Sequence, residues 1–125
     1  MVQQYAPQHQ GFVVFPPENG EFSVVILRHL SQTVFATVMA HEILHVWQFE
    51  NQITAPLEIC EGFCNLGSYL FLQHINSPVA QGQQTLLEFD DSDIYGKGFE
   101  KLKKIYDSTG IFGIISEIKK YQCTR

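Results

Sequence analysis

A segment from Thr33 to Glu50 with the pattern of a single helix constrains this chain more than any other feature. Apolar residues recur in it at helical spacing, and neither proline nor glycine interrupts it. Ser31, just before the segment, is a suitable N-cap. The pattern predicts a helix whose apolar stripe faces the core. That stripe consists of Phe35, Val38, Met39, Leu44, Val46 and Phe49.

The predicted helix also carries two histidines and a glutamate in the order His-Glu-x-x-His, as His41, Glu42 and His45. Residues four apart lie one above the other on a helix face, so both imidazoles can reach one metal ion. Glu42 lies beside them, where it can take a proton from water at the open coordination position. This run is the zinc-binding signature of many metallopeptidases, although it is short enough to arise by chance. The alternative interpretation is two ordinary histidines flanking a solvated glutamate.

Two strands are predicted before this helix and a second helix after it. Phe12–Phe15 and Phe22–Leu27 are rich in β-branched and aromatic residues, and the turn signal Asn19-Gly20 between them predicts a hairpin. The second strand lies directly before the motif helix, where an extended substrate could add to the sheet. Pro56 suits the first position of the second helix, which is expected to extend to about His74.

The remainder of the chain completes a small α+β domain. The sequence Asn76-Ser77-Pro78 ends the second helix, and residues 79–93 are polar and predict a loop with at most a short helical piece. Gly98–Tyr106 and Ile111–Tyr121 have amphipathic helical patterns, with Gly110 at their junction as a C-cap or turn position. The prediction is a short N-terminal sheet followed by about four helices.

A catalytic zinc site usually has three protein ligands, and the second helix offers two carboxylates for the third position. Glu61 lies 16 positions after His45, a gap that lets the chain turn and bring a second helix beside the first. We favour Glu61 over Glu58 from its position within the helix, but from spacing alone both could be surface carboxylates. These residues share one polar stripe at helical spacing, made of Glu58, Glu61, Asn65 and Ser68.

Two cysteines on the same helix, Cys60 and Cys64, are also four residues apart. Such residues are most often small buried apolar side chains, although two thiolates could bind a metal. A zinc site closed by a fourth protein ligand would indicate a non-catalytic binding module. The candidates for that ligand are Cys60, Cys64, His74 and His29.

Composition limits the class of protein. The chain has 125 residues, of which 45% are hydrophobic, and a formal net charge of −5, which fits one globular domain over residues 1–125. An acidic chain does not suit nucleic acid, because phosphates require clustered cations. We expect no membrane association, since no apolar run is long enough to span a bilayer. Three cysteines without a disulfide spacing and the lack of a signal peptide predict a cytoplasmic setting.

Several pieces of the sequence, in one order, resemble a known family. The resemblance covers the chain from about Phe22 onward, and it is to the C-terminal peptidase domain of the plant ubiquitin-activated, LIM-domain regulators of organ size and their short bacterial relatives. These are the DA-one-like peptidases. The pieces are Val24–Leu30, Met39–Trp47 with its tryptophan after the second histidine, Glu61-Gly-Phe-Cys64, Tyr95-Gly-Lys-Gly-Phe99 and a closing amphipathic helix.

The resemblance implies a zincin-like, gluzincin-type fold and a zinc-dependent endopeptidase acting on a peptide or protein substrate. Carried over by position, His41, His45 and Glu61 would bind Zn²⁺ and Glu42 would be the catalytic base. Tyr95 could donate a hydrogen bond to the oxyanion, as tyrosine does in other metallopeptidases. The Tyr95–Phe99 piece could equally be a turn with flexible glycines and Phe99 as its anchor.

The sequence also departs from the plant proteins. It has no LIM cysteines and no ubiquitin-interaction segment, and Cys60-Glu61 stands where they carry paired acidic residues. The resemblance therefore gives no basis for ubiquitin-linked regulation or for the plant substrates. Two other hypotheses stay open: a non-catalytic zinc-containing module of the same fold, and a structural domain with no metal.

Overall fold

The computed structural model describes residues 10–14, 20–28 and 30–123. Within them the chain forms a two-stranded hairpin and four helices, which confirms the predicted small α+β architecture. Antiparallel pairing sets Gly11 opposite Ile26 and Val14 opposite Ser23, whereas the predicted turn residue Asn19 and the predicted strand end Phe15 lie outside the described residues. The elements are β1 (Gly11–Val14), β2 (Ser23–Ile26), α1 (Gln32–Glu50), α2 (Leu57–Ile75), α3 (Pro78–Phe89) and α4 (Lys97–Lys119).

Helix α1 begins as predicted, because the Ser31 hydroxyl accepts a hydrogen bond from the Val34 N–H at 3.2 Å. Its predicted inward face is wrong in part. Phe35 and Phe49 are 43% and 47% exposed. The buried residues of α1 are instead the polar Glu42, His45 and Gln48. The reason lies in α2, which presents its own polar side to α1, so that polar groups meet one another rather than water.

The apolar core lies on the other side of α2, against α4. It is formed by Ile59, Phe63, Leu66, Phe99, Leu102, Ile114 and Ile118. Gly62 and Gly98 allow the two helices to approach closely, since a Cβ on either residue would collide with the backbone of the other helix. Trp47 of α1 reaches this core and stacks on Phe63 with ring centroids 5.6 Å apart. Helix α2 therefore separates an apolar interface from a polar one.

Helix α3 corrects the predicted loop over residues 79–93. Ser77 accepts a hydrogen bond from the Ala80 N–H at 3.1 Å, and Pro78 occupies the first turn, where its fixed φ suits a helix. The same proline that stops α2 thus begins the next helix. The segment is rich in glutamine and contains Gly82, two features that hide its helical pattern in the sequence. Contacts with α2 stabilise it, including a hydrogen bond from Gln84 Nε2 to the Tyr69 carbonyl at 3.4 Å.

Helix α4 combines the two predicted C-terminal helices. The break between them lies at Gly110, whose φ of 75° and ψ of −165° are not helical. The predicted junction is therefore confirmed, although the segment continues as a helix on either side without a loop.

No helix among the described residues is both long and apolar enough to cross a membrane.

Candidate metal centre

Three side chains from two helices converge on one point between α1 and α2. His41 Nε2 lies 3.1 Å from Glu61 Oε1, and His45 Nε2 lies 3.0 Å from Glu61 Oε2. The two histidine Nε2 atoms are 3.2 Å apart. The structure therefore brings together all three residues that the sequence analysis proposed as metal ligands.

Local geometry explains this convergence. The two histidines lie on consecutive turns of α1, which sets their rings 4.9 Å apart. The chain then reverses direction through Gln52, which has a left-handed φ of 57°, and α2 returns beside α1. On α2, Glu61 is 1% exposed and faces the histidines, whereas Glu58 is exposed. Of the two carboxylates that spacing left open, only Glu61 reaches the histidines.

Charge couples Glu61 to both rings. Burial of Glu61 opposes its ionisation, but hydrogen bonds with His41 and His45 outweigh burial and hold the pKa of this carboxyl well below its usual range. Burial likewise opposes charge on His45, yet the hydrogen bond and negative charge of Glu61 raise its pKa. Without metal, the Glu61 carboxylate therefore accepts hydrogen bonds from imidazole N–H groups. A divalent cation could take the place of those protons between the carboxylate and the two rings.

Glu42 lies beside this cluster with an unusual environment. It is 3% exposed, and its Oε1 is 3.9 Å from His41 Nε2. Its other oxygen, Oε2, is buried and has no hydrogen-bond partner among the described residues. Burial is the main cause that raises the pKa of Glu42, with the two histidine charges opposing it. A buried carboxylate oxygen without a partner is rare and calls for an explanation, such as an ion or a water.

Cys64, which the sequence analysis expected to be a small buried side chain and named as one candidate fourth ligand, also lies beside the histidines. Its thiol lies with the His41 and His45 ring nitrogens in a group whose atoms are all within 4.8 Å of one another and could hold a metal ion. Burial, helped by the nearby Glu61 and Glu42 carboxylates, raises the pKa of the Cys64 thiol well above its ordinary value. The expected burial of Cys64 is therefore confirmed, in a place where the thiol also adjoins the histidines.

Two other candidates for a fourth ligand, Cys60 and His74, do not reach the group. The Cys60 thiol donates instead to the Ala55 carbonyl at 3.5 Å. His74 is exposed near the far end of α2, and His29 lies outside the described residues.

A cleft of about 410 Å³ opens beside the histidine cluster. Its walls include His41 and Glu42 from α1, Asn65 and Ser68 from α2, Leu86 from α3, and Tyr95. Of the predicted polar stripe of α2, Asn65 and Ser68 line the cleft, whereas Glu61 faces the histidines and Glu58 is exposed. β1 also borders the cleft, through Gly11, whereas no residue of β2 lines it. The strand that adjoins the cleft is therefore β1, not the second strand named in the sequence analysis.

Tyr95 is half-buried at this cleft, and its carbonyl accepts a hydrogen bond from Asn65 Nδ2 at 3.1 Å. Burial, with a smaller effect of the Glu61 charge, raises the pKa of the Tyr95 phenol. The glycines that follow serve close packing rather than flexibility, because a Cβ on Gly96 would collide with the Asp90 carbonyl and one on Gly98 with that of Glu58. Phe99 is buried in the core, as expected of an anchor. A role for the Tyr95 hydroxyl in catalysis stays a prediction.

Gln48 is a site residue that the sequence analysis missed. It is 5% exposed, and its side chain contacts both His45 and the backbone of α2. The one signal that could have found it is its position three residues after His45, which places both on the same face of α1. That signal is weak, because many exposed glutamines satisfy it.

Comparison with known proteins gives a distant similarity. The chain is 22% identical over 131 residues to the protein DA1-related 7 of Arabidopsis thaliana. The match covers 79% of this chain and 23% of that protein, so the chain spans about a quarter of the length of the relative. No family model and no solved structure matches the chain. The comparison supports at most a DA1-like relationship.

Proposed function

We propose that this chain is a zinc-dependent endopeptidase domain of the DA-one-like family, with a zincin-like, gluzincin-type fold. His41, His45 and Glu61 would hold the ion. The observation that carries this proposal is the mutual separation of their ligand atoms, which is 3.0 to 3.2 Å. Metal–ligand bonds of about 2.0–2.1 Å in tetrahedral geometry require ligand atoms roughly 3.3 Å apart. The three groups are therefore spaced for a small cation between them.

The chemistry of the donors supports zinc. Two imidazoles and one carboxylate make up a known catalytic zinc set, which leaves one coordination position open. Zinc bound there would polarise the scissile carbonyl and acidify a water molecule. The distant similarity to DA1-related 7 of Arabidopsis agrees with the family named here.

Glu42 fits the role of general base. Its buried Oε2 lacks a hydrogen-bond partner among the described residues, so it can accept a proton from water. Burial raises the pKa of Glu42, which makes the carboxylate a stronger base and later a better acid toward the leaving amine. The side chain lines the same cleft as His41, where the substrate would lie.

The edge of β1 that faces away from β2 is where an extended peptide substrate would add. The Leu27 N–H donates to the Gln10 carbonyl at 2.7 Å, and antiparallel alternation from this pair directs the main-chain groups of Gly11 and Val13 away from β2. Among the described residues, no strand pairs on that edge. Gly11 and Val13 are buried, so a substrate strand would have to displace what covers this edge before it could pass along the cleft.

A second function, a non-catalytic zinc-containing binding module, is favoured by one observation. The Cys64 thiol is close enough to the two histidines to complete a metal group with them. A thiolate ligand in addition to Glu61 would close the coordination shell and leave no position for water. Glu42 argues against this, because a closed structural site has no use for a buried, unpaired carboxylate oxygen.

Metal analysis of purified protein and its variants would separate these functions. For the peptidase we expect near-stoichiometric zinc in the parent, a clear loss in Glu61→Ala, and retention in Cys64→Ala. Glu58→Ala is the matched control, since this glutamate is exposed on the same helix. A loss of zinc in Cys64→Ala would favour the closed binding module. A parent that neither contains nor binds zinc would leave the structural domain without metal.

The catalytic role of Glu42 has its own test. Glu42→Gln preserves the shape of the side chain but removes the base, so we expect zinc to stay bound while turnover falls by about 10²–10⁴-fold. Cleavage of a mixed peptide library, followed by mass spectrometry, would measure turnover without knowledge of the substrate. Full activity in Glu42→Gln would contradict the proposed mechanism.

A further inference from the structure

Gln48 connects the candidate metal centre to the backbone of the neighbouring helix. Its Oε1 lies 3.2 Å from His45 Nδ1, the ring nitrogen on the side away from Glu61. Its Nε2 donates to the Cys60 carbonyl at 3.1 Å. Cys60 directly precedes Glu61, so one buried side chain links a histidine of α1 to the segment of α2 that carries the third proposed ligand.

The second of these contacts sets the orientation of the amide. A backbone carbonyl can only accept a hydrogen bond, and its two lone pairs can serve both a helical partner and Gln48. A flipped amide would set Oε1 against this carbonyl, oxygen to oxygen. The Cys60 carbonyl therefore holds Nε2 toward α2 and Oε1 toward His45.

The orientation of the amide in turn requires a proton on Nδ1 of His45. An amide oxygen accepts only, so Nδ1 must be the donor. In metal-free protein Nε2 is protonated as well, because it lies 3.0 Å from the Glu61 carboxylate. A bound metal would replace the Nε2 proton and leave the one on Nδ1 in place. Histidine ligands of metals generally donate their second ring N–H to such a partner, which fixes both tautomer and ring orientation.

We propose that Gln48 is a positioning residue that accepts a hydrogen bond from His45 Nδ1–H and thereby aims Nε2 at the metal position. The effect on metal affinity rests on the proposed zinc site, whereas the hydrogen bond to Nδ1 does not. Gln48 is 5% exposed, so water does not readily replace it as the acceptor for Nδ1–H. Loss of its amide would leave the His45 ring free to rotate.

The test replaces Gln48 with leucine, which keeps the burial and removes both hydrogen bonds. We expect Gln48→Leu to weaken zinc binding by about 10- to 100-fold in competition with a chromophoric chelator. In metal-free protein at a pH where the ring carries both protons, ¹H–¹⁵N correlation spectra should show the His45 Nδ1–H resonance downfield in the parent and shifted upfield in the variant, because the hydrogen bond to Gln48 is lost. A purely structural role would leave this resonance unchanged.

Two further variants sharpen the comparison. Gln84→Leu is the matched control, because the Gln84 amide also joins two helices by donating to a carbonyl, that of Tyr69, and contacts none of the proposed ligands. It should leave zinc affinity and the His45 Nδ1–H resonance unchanged. Gln48→Glu gives up the donor to the Cys60 carbonyl but keeps an acceptor for Nδ1–H, so the downfield Nδ1–H resonance should remain. It decides the matter if the leucine variant does not fold.

The possible outcomes are distinct. Zinc affinity in Gln48→Leu equal to that of the parent, an unchanged Nδ1–H resonance in that variant, or loss of the downfield resonance in Gln48→Glu would overturn the positioning role. A parent that binds no zinc would refute the proposed function instead. In that case the Nδ1–H resonance still tests Gln48 on its own.

Discussion

At the scale of single residues, Glu61 determines the electrostatics of the site. Each of its carboxylate oxygens faces a different histidine, at 3.1 Å and 3.0 Å. In metal-free protein this arrangement favours charge on both the carboxylate and His45, which is the origin of their opposite pKa shifts. The same preference should make the stability of the metal-free protein depend on pH.

The expected direction follows from His45. Its folded-state pKa is raised above the ordinary 6.5, so its stabilisation is fully present below about pH 6.5 and is lost as the pH rises through the folded pKa. The stabilisation from Glu61, whose pKa is depressed from 4.5, is lost only as the pH falls through its folded pKa. We therefore expect the melting temperature of chelator-treated protein to fall as the pH is raised above 6.5.

Calorimetry of His45→Gln supplies the control for this pH dependence. The variant cannot hold the proton, so the part of the slope that belongs to His45 should disappear. A melting temperature that is constant or that rises over this range in the parent would show that the His45–Glu61 contact does not stabilise the metal-free fold.

At the scale of elements, α2 contributes to both the apolar core and the candidate metal centre. One side packs on α4 through the apolar core, and the other presents Glu61 to α1. Its distance from α4 is set where Gly62 meets Gly98. A larger residue at this crossing would push α2 away from α4 and toward the candidate metal centre.

Gly62→Ala tests the crossing. Its Cβ would collide with backbone atoms of Gly98 and Phe99, which cannot move aside as a flexible side chain can, so we expect destabilisation by about 1–3 kcal/mol. Gly82→Ala is the matched control, because Gly82 lies on helix α3 and a Cβ there would have no neighbouring atom within 4 Å. It should stabilise the protein by about 0.5–1 kcal/mol. Urea unfolding measures both, and equal stabilities would argue against a close crossing.

Gly110→Ala tests the break in α4. A φ of 75° with a ψ of −165° falls in a region that only glycine adopts without strain, so we expect a loss of about 1–3 kcal/mol. Steric collision does not contribute, since nothing lies within 4 Å of the position where a Cβ would be. Urea unfolding would measure this loss too. Unchanged stability would mean that α4 can continue through residue 110 without the break.

At the scale of the whole molecule, a metal between α1 and α2 would connect two parts of the fold. Helix α1 contacts the hairpin, and helix α2 contacts α4. A ligand that binds only the folded state stabilises it by mass action. Metal bound between these helices should therefore stabilise the entire fold rather than one loop.

Chelation tests this coupling. We expect EDTA to lower the melting temperature of the zinc-loaded protein, with a loss of about 4 kcal/mol for free zinc at 1,000 times its Kd. Glu61→Ala should melt at the same temperature with and without EDTA, because its site no longer holds the ion. A parent protein whose melting temperature ignores EDTA would contradict metal binding to the folded state.

The sequence by itself determined the local features of this protein. The cap at Ser31, the break at Gly110 and the positions of His41 and His45 on one helix face depend on residues within a turn or two of one another. The hairpin, the first two helices, the C-terminal helical segments and the overall α+β class were accordingly predictable. The helical nature of Pro78–Phe89 was missed, because its polar, glutamine-rich composition and Gly82 were interpreted as a loop and Pro78 only as the end of α2.

Only the tertiary structure decided what surrounds the histidines. The choice of Glu61 over Glu58, the approach of Cys64, the link through Gln48 and the burial of a polar face of α1 all depend on how α2 lies against α1. Each of these contacts joins residues 12 or more positions apart, and helical periodicity does not specify which face of one helix meets which face of another. That choice belongs to packing, in which the polar side of α2 turns to α1 because its apolar side is buried against α4.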